Sequence, residues 1–354
     1  MPEPWLFYPE ACLAHLTAGH PESPERLQVI WQALEHHQIL NHLRVQAPQP
    51  VPLELVQRIH QPAYMQSLQR FCDQAGTGRR IDEDTVVSKG TYPAVLAAAG
   101  AAVEMAEALT SGRCQQAFSL VRPPGHHAMP GYLMGFCFFN NIALAALYAL
   151  EQLGLQRIAI LDWDAHHGNG TEHIFYQDPR VLTVSWHQDP NWPGTGAWQD
   201  QGEGAGAGYS LNVPLPTGSG LKAFELTWQQ VVLPALKRFQ PQLLLVAAGY
   251  DAHHADTLTQ MGMTATGFAR LTEQIMQGAE QLGNLPVGFV LEGGYNLDGL
   301  SNSVSATLLT LLHQEAHPLR EQMPAPPETD SAEALQTLIQ NLHTHPLLRK
   351  EKPV

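Results

Sequence analysis

The chain has 354 residues, of which 44% are hydrophobic, and 19 Lys and Arg against 33 Asp and Glu give a formal net charge of −14. This composition predicts a globular protein with enough apolar material for a core. It disfavours nucleic-acid binding, which depends on basic side chains that neutralise phosphates. The sequence has no run of about 18 apolar residues and no signal-peptide start, so we expect no membrane span and a cytoplasmic location.

Helices are predicted in the N-terminal third. The first covers residues 24–40, because Ser23 can cap it and Pro24 suits the first helical position. Its apolar residues recur at helical spacing on one face, at Leu27, Ile30, Trp31 and Leu34. A second, alanine-rich helix is predicted over residues 93–109.

From about residue 115 short apolar runs alternate with helix-like segments. Strands are predicted at 117–121, 157–161, 181–185, 243–247 and 287–291, and helices at 140–153, 223–239 and 266–282. Short, continuously apolar strands that alternate with helices are typical of a buried parallel sheet. The sequence therefore predicts an α/β fold.

The C-terminal part reads as an extension of a single domain. Its segment Pro324-Ala325-Pro326-Pro327 is interpreted as a surface linker, and a last helix is predicted over residues 331–342. We expect one domain over residues 1–323 and an extension over residues 324–354.

Ionisable or glycine-rich residues follow each predicted strand. In open parallel sheets, ligands bind beyond the carboxyl ends of the strands, so we expect these segments to converge on one site. They are Arg122-Pro123-Pro124-Gly125-His126-His127, residues 162–170, Trp186-His187, Gly249-Tyr250-Asp251 and Glu292-Gly293-Gly294-Tyr295.

The segment Asp162-x-Asp164-x-His166 has a period of two, so an extended chain places all three side chains on one face. Burying this charge without a partner is costly, and a divalent metal is a natural partner. Asp164, His166 and the distant Asp251 would make three protein ligands and leave an open position, as in catalytic zinc sites. The alternative is that these aspartates only cap or stabilise turns.

Two further motifs suggest catalytic groups. The pair His126-His127 follows the stiff Pro-Pro-Gly segment beside the predicted metal and suggests a general base and acid, although a structural histidine is the alternative. Tyr295 follows two glycines and could donate to a developing oxyanion, or could simply pack under a loop. The other pairs are interpreted as a solvated helix face, His36-His37, and as a site rim or ligand support, His253-His254.

Over about residues 15–305 these motifs occur in an order that resembles the histone deacetylase superfamily, which shares its fold with arginases. The matching segments are residues 19–26 (Gly-His-Pro-Glu-Ser-Pro-Glu-Arg), the Pro-Pro-Gly-His-His block, residues 135–141 (Gly-Phe-Cys-Phe-Phe-Asn-Asn), residues 162–171, residues 193–196 (Pro-Gly-Thr-Gly), Gly-Tyr-Asp and Glu-Gly-Gly-Tyr. The resemblance implies a three-layer α/β/α fold with a central, mostly parallel sheet.

The resemblance also implies a mechanism for hydrolysing N-acyl amides. Zinc bound by Asp164, His166 and Asp251 would activate water and polarise the acyl carbonyl. The roles implied for the remaining residues are general base and acid for His127, electrostatic partner for His126, support of His126 for Asp162, and polarisation of the carbonyl for Tyr295. Asn169, where some branches carry aspartate, resembles class II; such a neutral partner stabilises the imidazolium of His127 less than a carboxylate would.

By the same resemblance, potassium would be held at two structural sites and acyl-lysine in a tunnel. The first potassium site would involve Asp162, Asp164, His166, Ser185 and Trp186, and the second Phe175, Asp178, Val181 and Tyr209. The tunnel would be lined by Gly135, Phe136 and Trp192, where the family usually has phenylalanine at the last position. Asp84 at the rim would hold the substrate backbone or amine, and Arg26 matches an internal channel position.

Leu258 stands where polyamine-specific relatives carry a glutamate that meets the amine cation. This favours acyl-lysine of a protein or peptide as substrate over acetylpolyamines or other small acylamines. A ureohydrolase with two manganese ions would need more acidic ligands than the Asn169 motif offers, and a silent binding module would ordinarily lack one of the catalytic residues. The ligand set fits zinc but also iron(II) or cobalt.

Overall fold

The computed structural model describes residues 3–314 and 332–349. Its centre is a sheet of eight strands in the order β2-β1-β5-β10-β9-β6-β7-β8, and every neighbouring pair is parallel. Two short antiparallel strands, β3 and β4, form a separate hairpin. The strands are β1 Trp5–Phe7, β2 Arg44–Gln46, β3 Arg79–Arg80, β4 Val86–Val87, β5 Gln116–Ser119, β6 Ile158–Asp162, β7 Val181–Asp189, β8 Ser210–Pro216, β9 Leu243–Ala248 and β10 Val287–Leu291.

Helices cover the sheet in two packed groups. Helix α4 packs against α5, and α10 packs against both α1 and α9. The helices are α1 Glu25–His36, α2 Leu53–Val56, α3 Pro62–Asp73, α4 Thr91–Thr110, α5 Asn141–Glu151, α6 Asn169–Phe175, α7 Leu221–Thr227, α8 Leu233–Phe239, α9 Ala265–Gln281, α10 Leu297–Leu311 and α11 Ala332–Leu342. The predicted α/β fold with a parallel central sheet is confirmed.

Helix α4 is long and apolar enough to cross a membrane by length and composition. However, 72% of its apolar window is buried in the fold. This burial is typical of a core helix, because α4 contacts both the sheet and α5.

All five predicted strands are present, but three further strands of the central sheet and the two strands of the β3-β4 hairpin were not predicted. β1 and β2 have only three residues each, too few for a periodic pattern to emerge. β8 carries Pro214 and Pro216, which argue against a central strand; the strand lies at the edge of the sheet, where proline is tolerated.

The predicted helices differ from the structure at specific residues. The first ends at His36 because Gln38 adopts a left-handed conformation, with φ 56°, and its N-cap is Pro24 without a side-chain cap from Ser23. The helix predicted over 223–239 is interrupted by a π-helical turn at Trp228–Val232. Helix α11 packs against β8, whereas the predicted linker at residues 324–327 lies outside the described residues.

Candidate active site

The carboxyl ends of three adjacent strands bring the predicted site residues together. β9 lies between β6 and β10, and Asp162 on β6 is level with Ala247 on β9. The segments that follow these strands therefore start side by side. The amide of Tyr250 donates to the carbonyl of Gly293 at 2.9 Å, which joins the segments after β9 and β10.

Asp164, His166 and Asp251 form a compact set of possible metal ligands, with one ligand atom from each within 4.8 Å of the others. His166 Nδ1 lies 3.2 Å from Asp164 Oδ1 and 2.8 Å from Asp251 Oδ2. The remaining carboxylate oxygens are held by backbone amides: Gly293 donates to Asp164 Oδ2 at 2.9 Å, and Ala165 donates to Asp251 Oδ1 at 2.8 Å. The two carboxylates are thus fixed in place around His166.

This set fits a divalent cation. Burial alone would lower the pKa of His166, but Asp251 and Asp164 raise it to about 10, so the two carboxylates strongly favour a positive charge between them. Glycine is required on both sides, since a Cβ on Gly249 would lie 2.0 Å from Asp164 Oδ2 and one on Gly293 would lie 2.5 Å from the same atom. Two carboxylates and one imidazole are a ligand set that zinc accepts.

The tandem histidines stack closely, with ring centroids 3.8 Å apart. His126 Nδ1 bonds to Asp162 Oδ2 at 3.0 Å, and His126 Nε2 lies 3.7 Å from Asp164 Oδ2. Burial alone would lower the pKa of His126, but the carboxylates of Asp164 and Asp162 outweigh it and raise the pKa well above its usual value.

His127 lies in a different environment, in which its Nδ1 bonds to Asn169 Oδ1 at 2.7 Å. The amide nitrogen of Asn169 faces the sulfur atoms of Met129 and Met134 at 3.6 and 3.4 Å, which makes its oxygen the acceptor for His127. Burial and the neighbouring His126 lower the pKa of His127 well below its usual value. The ring is therefore neutral, with Nδ1 protonated and Nε2 free to accept a proton.

Tyr295 lies against two predicted residues. Its ring contacts Phe136 edge-on, with centroids 5.6 Å apart, and the Arg26 guanidinium lies 5.0 Å over its face. Arg26 also donates to the carbonyls of Glu292 at 2.6 Å and Gly294 at 2.7 Å. Burial raises the pKa of Tyr295 well above its usual value, so its hydroxyl stays protonated and can donate.

Two buried glutamates, Glu22 and Glu292, hold this arrangement, although neither was predicted to have a role. Glu292 Oε2 accepts from the amides of Gly125 at 2.6 Å and His126 at 3.1 Å. Glu22 pairs with Arg26 at 3.2 Å and with Arg122 at 2.8 Å. Both glutamates belong to the motifs quoted above. Glu292 lies three residues before Tyr295 and Glu22 four residues before Arg26, and this proximity could have indicated a supporting role.

The predicted tunnel residues meet at His127. Gly135 and Phe136 both have positive φ, 54° and 67°. A Cβ on Gly135 would lie 2.5 Å from the Trp192 ring and 2.6 Å from the His127 ring. Trp192, 42% exposed, packs edge-on against His127 with centroids 4.8 Å apart. The indole therefore lies against the histidine and is itself partly exposed to solvent.

Asp84, predicted at the rim, and Leu258, expected to bear on the choice of substrate, are both exposed. Leu258 is 39% exposed, and its backbone is held by Asp256. Asp84 lies in the connection between β3 and β4; its carbonyl bonds to His20 Nε2 at 2.7 Å, and His20 contacts Phe136 edge-on at 4.6 Å. Of the other histidine pairs, His36-His37 is exposed as predicted.

The residues predicted for potassium lie in two separate places. Ser185 is the β7 residue level with Asp162 and bonds to His187 Nδ1 at 3.0 Å, with Trp186 next to it. The second group lies at the start of β7. The amide of Val181 donates to the carbonyl of Asp178 at 3.3 Å, and the amide of Asp178 donates to the carbonyl of Phe175 at 2.9 Å. The Tyr209 carbonyl accepts from the amide of Thr183 in β7 at 3.0 Å. The Asp178 carboxylate is paired with Arg180 at 2.6 Å.

Comparison with known proteins agrees with this geometry. The family profile described as histone deacetylase domain matches residues 20–311. A probable deacetylase of Archaeoglobus fulgidus is 38% identical over 296 residues, which are 83% of this chain and 81% of the relative. A histone deacetylase-like amidohydrolase of Pseudomonas aeruginosa is 39% identical over 280 residues, 79% of this chain and 73% of the relative. The crystal structure of the HDA15 HD domain superposes with a TM-score of 0.86 at 30% identity, and the match covers 97% of this chain and 96% of that one.

Proposed function

The chain belongs to the histone deacetylase family, and on this premise we propose that it is a zinc-dependent hydrolase of N-acyl amides that acts on acyl-lysine side chains of proteins or peptides. The observation that carries the proposal is that a neutral imidazole, His127, contacts both His166 of the three-ligand set, with ring centroids 6.0 Å apart, and the partly exposed Trp192, with centroids 4.8 Å apart. A base at this point faces both the metal position and the entry path of a substrate.

Asp164, His166 and Asp251 would hold the zinc. When bound, zinc polarises the acyl carbonyl and lowers the pKa of water. The same ligands accept iron(II) or cobalt, so the availability of each metal also determines which one is bound. Structural potassium at the Ser185 and Asp178 groups is part of the proposal.

His127 acts first as a base. Its Nε2 accepts a proton from the attacking water, and Asn169 holds Nδ1 so that Nε2 points away from it. The proton then passes from His127 to the leaving nitrogen as the C–N bond breaks, which releases the carboxylic acid and the free amine. His126, held by Asp162, supplies positive charge beside the developing negative charge.

Tyr295 stabilises the carbonyl oxygen. As the carbonyl carbon becomes tetrahedral, its oxygen gains negative charge, and the protonated phenol donates a hydrogen bond to it. The Arg26 guanidinium over the ring holds the phenol in place. The catalytic group is thus complete within this chain.

The rim supports a peptide substrate. Leu258 is uncharged and cannot pair with a distant ammonium group, which disfavours polyamines. Trp192 supplies an apolar surface for the methylene stem of a lysine. A cytoplasmic location fits the four buried, free cysteines Cys12, Cys72, Cys114 and Cys137.

Turnover of an acetyl-lysine peptide and of N-acetylputrescine, each with and without a chelator, tests the proposal. We expect chelator-sensitive hydrolysis of the peptide and at least tenfold weaker hydrolysis of acetylputrescine. Leu258→Glu should raise the relative rate on acetylputrescine, with Leu258→Gln as the uncharged control. Preference of the unmodified enzyme for acetylputrescine would refute the lysine assignment, and no hydrolysis of any acylamide would refute the activity.

A further inference from the structure

The segment that carries Tyr295 needs external support. It follows β10 through Gly293 and Gly294, and Gly294 has φ 118°, a conformation open to glycine but rarely to other residues. Two consecutive glycines give the backbone more accessible conformations than any other pair of residues would. The direction of the phenol is therefore determined by the contacts that this segment makes with its surroundings.

Asp256 makes such a contact from a different loop. Its Oδ2 accepts from the amide of Tyr295 at 2.7 Å and from the amide of Asn296 at 3.1 Å. These contacts join residues 39 and 40 positions apart, so they are not part of a local turn. They fix the backbone at Tyr295 itself and at the next residue, where α10 is about to begin.

The other contacts of Asp256 tie it to the loop that carries a proposed metal ligand. Its Oδ1 accepts from the amide of Leu258 at 3.0 Å, and its own amide donates to the carbonyl of His253 at 2.8 Å. Asp256 is only 7% exposed and has no ion pair closer than 4 Å among the described residues. Burying a carboxylate in this way is costly unless its hydrogen bonds are filled, and here three backbone amides fill them.

We propose that Asp256 is a positioning residue for Tyr295, which holds the phenol at the carbonyl oxygen by binding the two amides at the base of its side chain. Arg26 holds the preceding carbonyls of Glu292 and Gly294, so the backbone is held on both sides of Tyr295. The inference rests on the proposed function for the role of the phenol. It goes further by assigning to a residue outside the reacting groups the task of setting the position of the phenol relative to Asp251.

The hydrogen bonds of Asp256 determine which contacts each substitution removes. Asp256→Ala removes both contacts to the Tyr295 segment. Asp256→Asn keeps an amide oxygen that can accept from Tyr295 and Asn296, and loses only the acceptor for Leu258. Asp298→Ala is the matched control, because Asp298 is an exposed aspartate at the start of α10 that does not contact Tyr295.

A double-mutant cycle on the metal-loaded enzyme with the acetyl-lysine peptide separates positioning from general structure. We expect Asp256→Ala to lower kcat about tenfold or more with KM changed less than about threefold. In a Tyr295→Phe background the same substitution should change kcat less than about twofold, because the hydroxyl it positions is gone. Asp256→Asn should recover most of the loss, and Asp298→Ala should leave kcat unchanged. An equal loss of kcat from Asp256→Ala in both backgrounds would overturn the inference.

Hydrogen exchange gives a readout that does not depend on turnover. In Asp256→Ala, peptides covering residues 292–297 should exchange faster than in the unmodified protein, while peptides from β6 and β7 should be unchanged. If Asp256→Ala does not fold, Asp256→Ser, which is too short to reach Tyr295, replaces it in both measurements. Faster exchange without any hydrolysis by the unmodified enzyme would support the contact and refute the proposed function. Unchanged exchange at 292–297 would refute the inference whatever the activity.

Discussion

His126 and His127 are neighbours in sequence, yet their surroundings move their pKa values in opposite directions. His126 faces the carboxylates of Asp162 and Asp164, whereas His127 faces the neutral amide of Asn169. The same side chain thus favours the charged form at one position and the neutral form at the next. Only the contacts made by distant residues determine which histidine takes which role.

A change at Asn169 should move the pH dependence of the reaction. Asn169→Asp would place a carboxylate at Nδ1 of His127, which favours the charged imidazole and raises its pKa. A base with a higher pKa is inactivated at a higher pH, so the acidic limb of the kcat/KM profile should shift upward. The neutral variant Asn169→Ser should not shift it upward, and an unshifted limb in Asn169→Asp would show that His127 is not the base.

Loss of the phenol hydroxyl should remove activity without removing the metal. Tyr295→Phe deletes one donor to the oxyanion, which typically costs about 10²–10³ in turnover. Zinc content, measured by atomic spectroscopy, should remain that of the unmodified protein. Tyr132→Phe is the matched control, since Tyr132 is 53% exposed and should lose little activity. Near-normal kcat in Tyr295→Phe would contradict the assigned role.

At the scale of elements, polar side chains join helix ends to loops. His60 follows α2; its Nδ1 donates to the carbonyl of Met129 at 3.1 Å, and its Nε2 accepts from the amide of Asn140, the N-cap of α5, at 3.0 Å. Both ring nitrogens are used only when the ring is neutral. Protonation would replace the acceptor at the start of α5 with a donor.

His60 should therefore make the protein less stable in acid. Burial lowers its pKa from 6.5 to about 4, so protons bind the unfolded state preferentially between these values. Its contribution to the free energy of unfolding is complete above about pH 6.5 and falls as the pH drops towards 4, by up to about 3 kcal/mol. Urea unfolding at several pH values should show a flatter pH dependence in His60→Gln than in the unmodified protein, and identical slopes would contradict this.

Long apolar elements were predictable and short or polar ones were not. β10 matches its predicted bounds because its apolar run is continuous, and α9 differs from its prediction by one residue at each end because its helical period extends over 17 residues. β8 was missed because its prolines are acceptable only at a sheet edge, and the edge is a property of the whole sheet. Likewise the spacing of Asp164 makes it a candidate ligand from the sequence alone, whereas Asp256 has no local signal, since its partners lie 39 and 40 residues away.

The whole molecule carries a net charge of −14, and Asp162, Asp164 and Asp251 bury three carboxylates close together. A bound cation offsets their mutual repulsion and favours the folded state by mass action. Chelation should lower the melting temperature by roughly 5 °C or more, as measured by scanning calorimetry. Asp251→Ala should melt at the same temperature with and without the chelator, and an unmodified protein that is insensitive to chelation would contradict a stabilising metal.

The proposed metal ligands come from segments that are far apart in the chain. His166 and Asp251 are separated by 85 residues, and the amide that holds Asp164 lies 129 residues away on Gly293. No early folding intermediate that lacks the β6-β9-β10 pairing can present the complete set, and such distant strand pairings form slowly. Zinc binding during refolding should therefore occur with the rate of the slowest phase of sheet assembly. The rate of metal uptake would then report the rate at which the fold is completed.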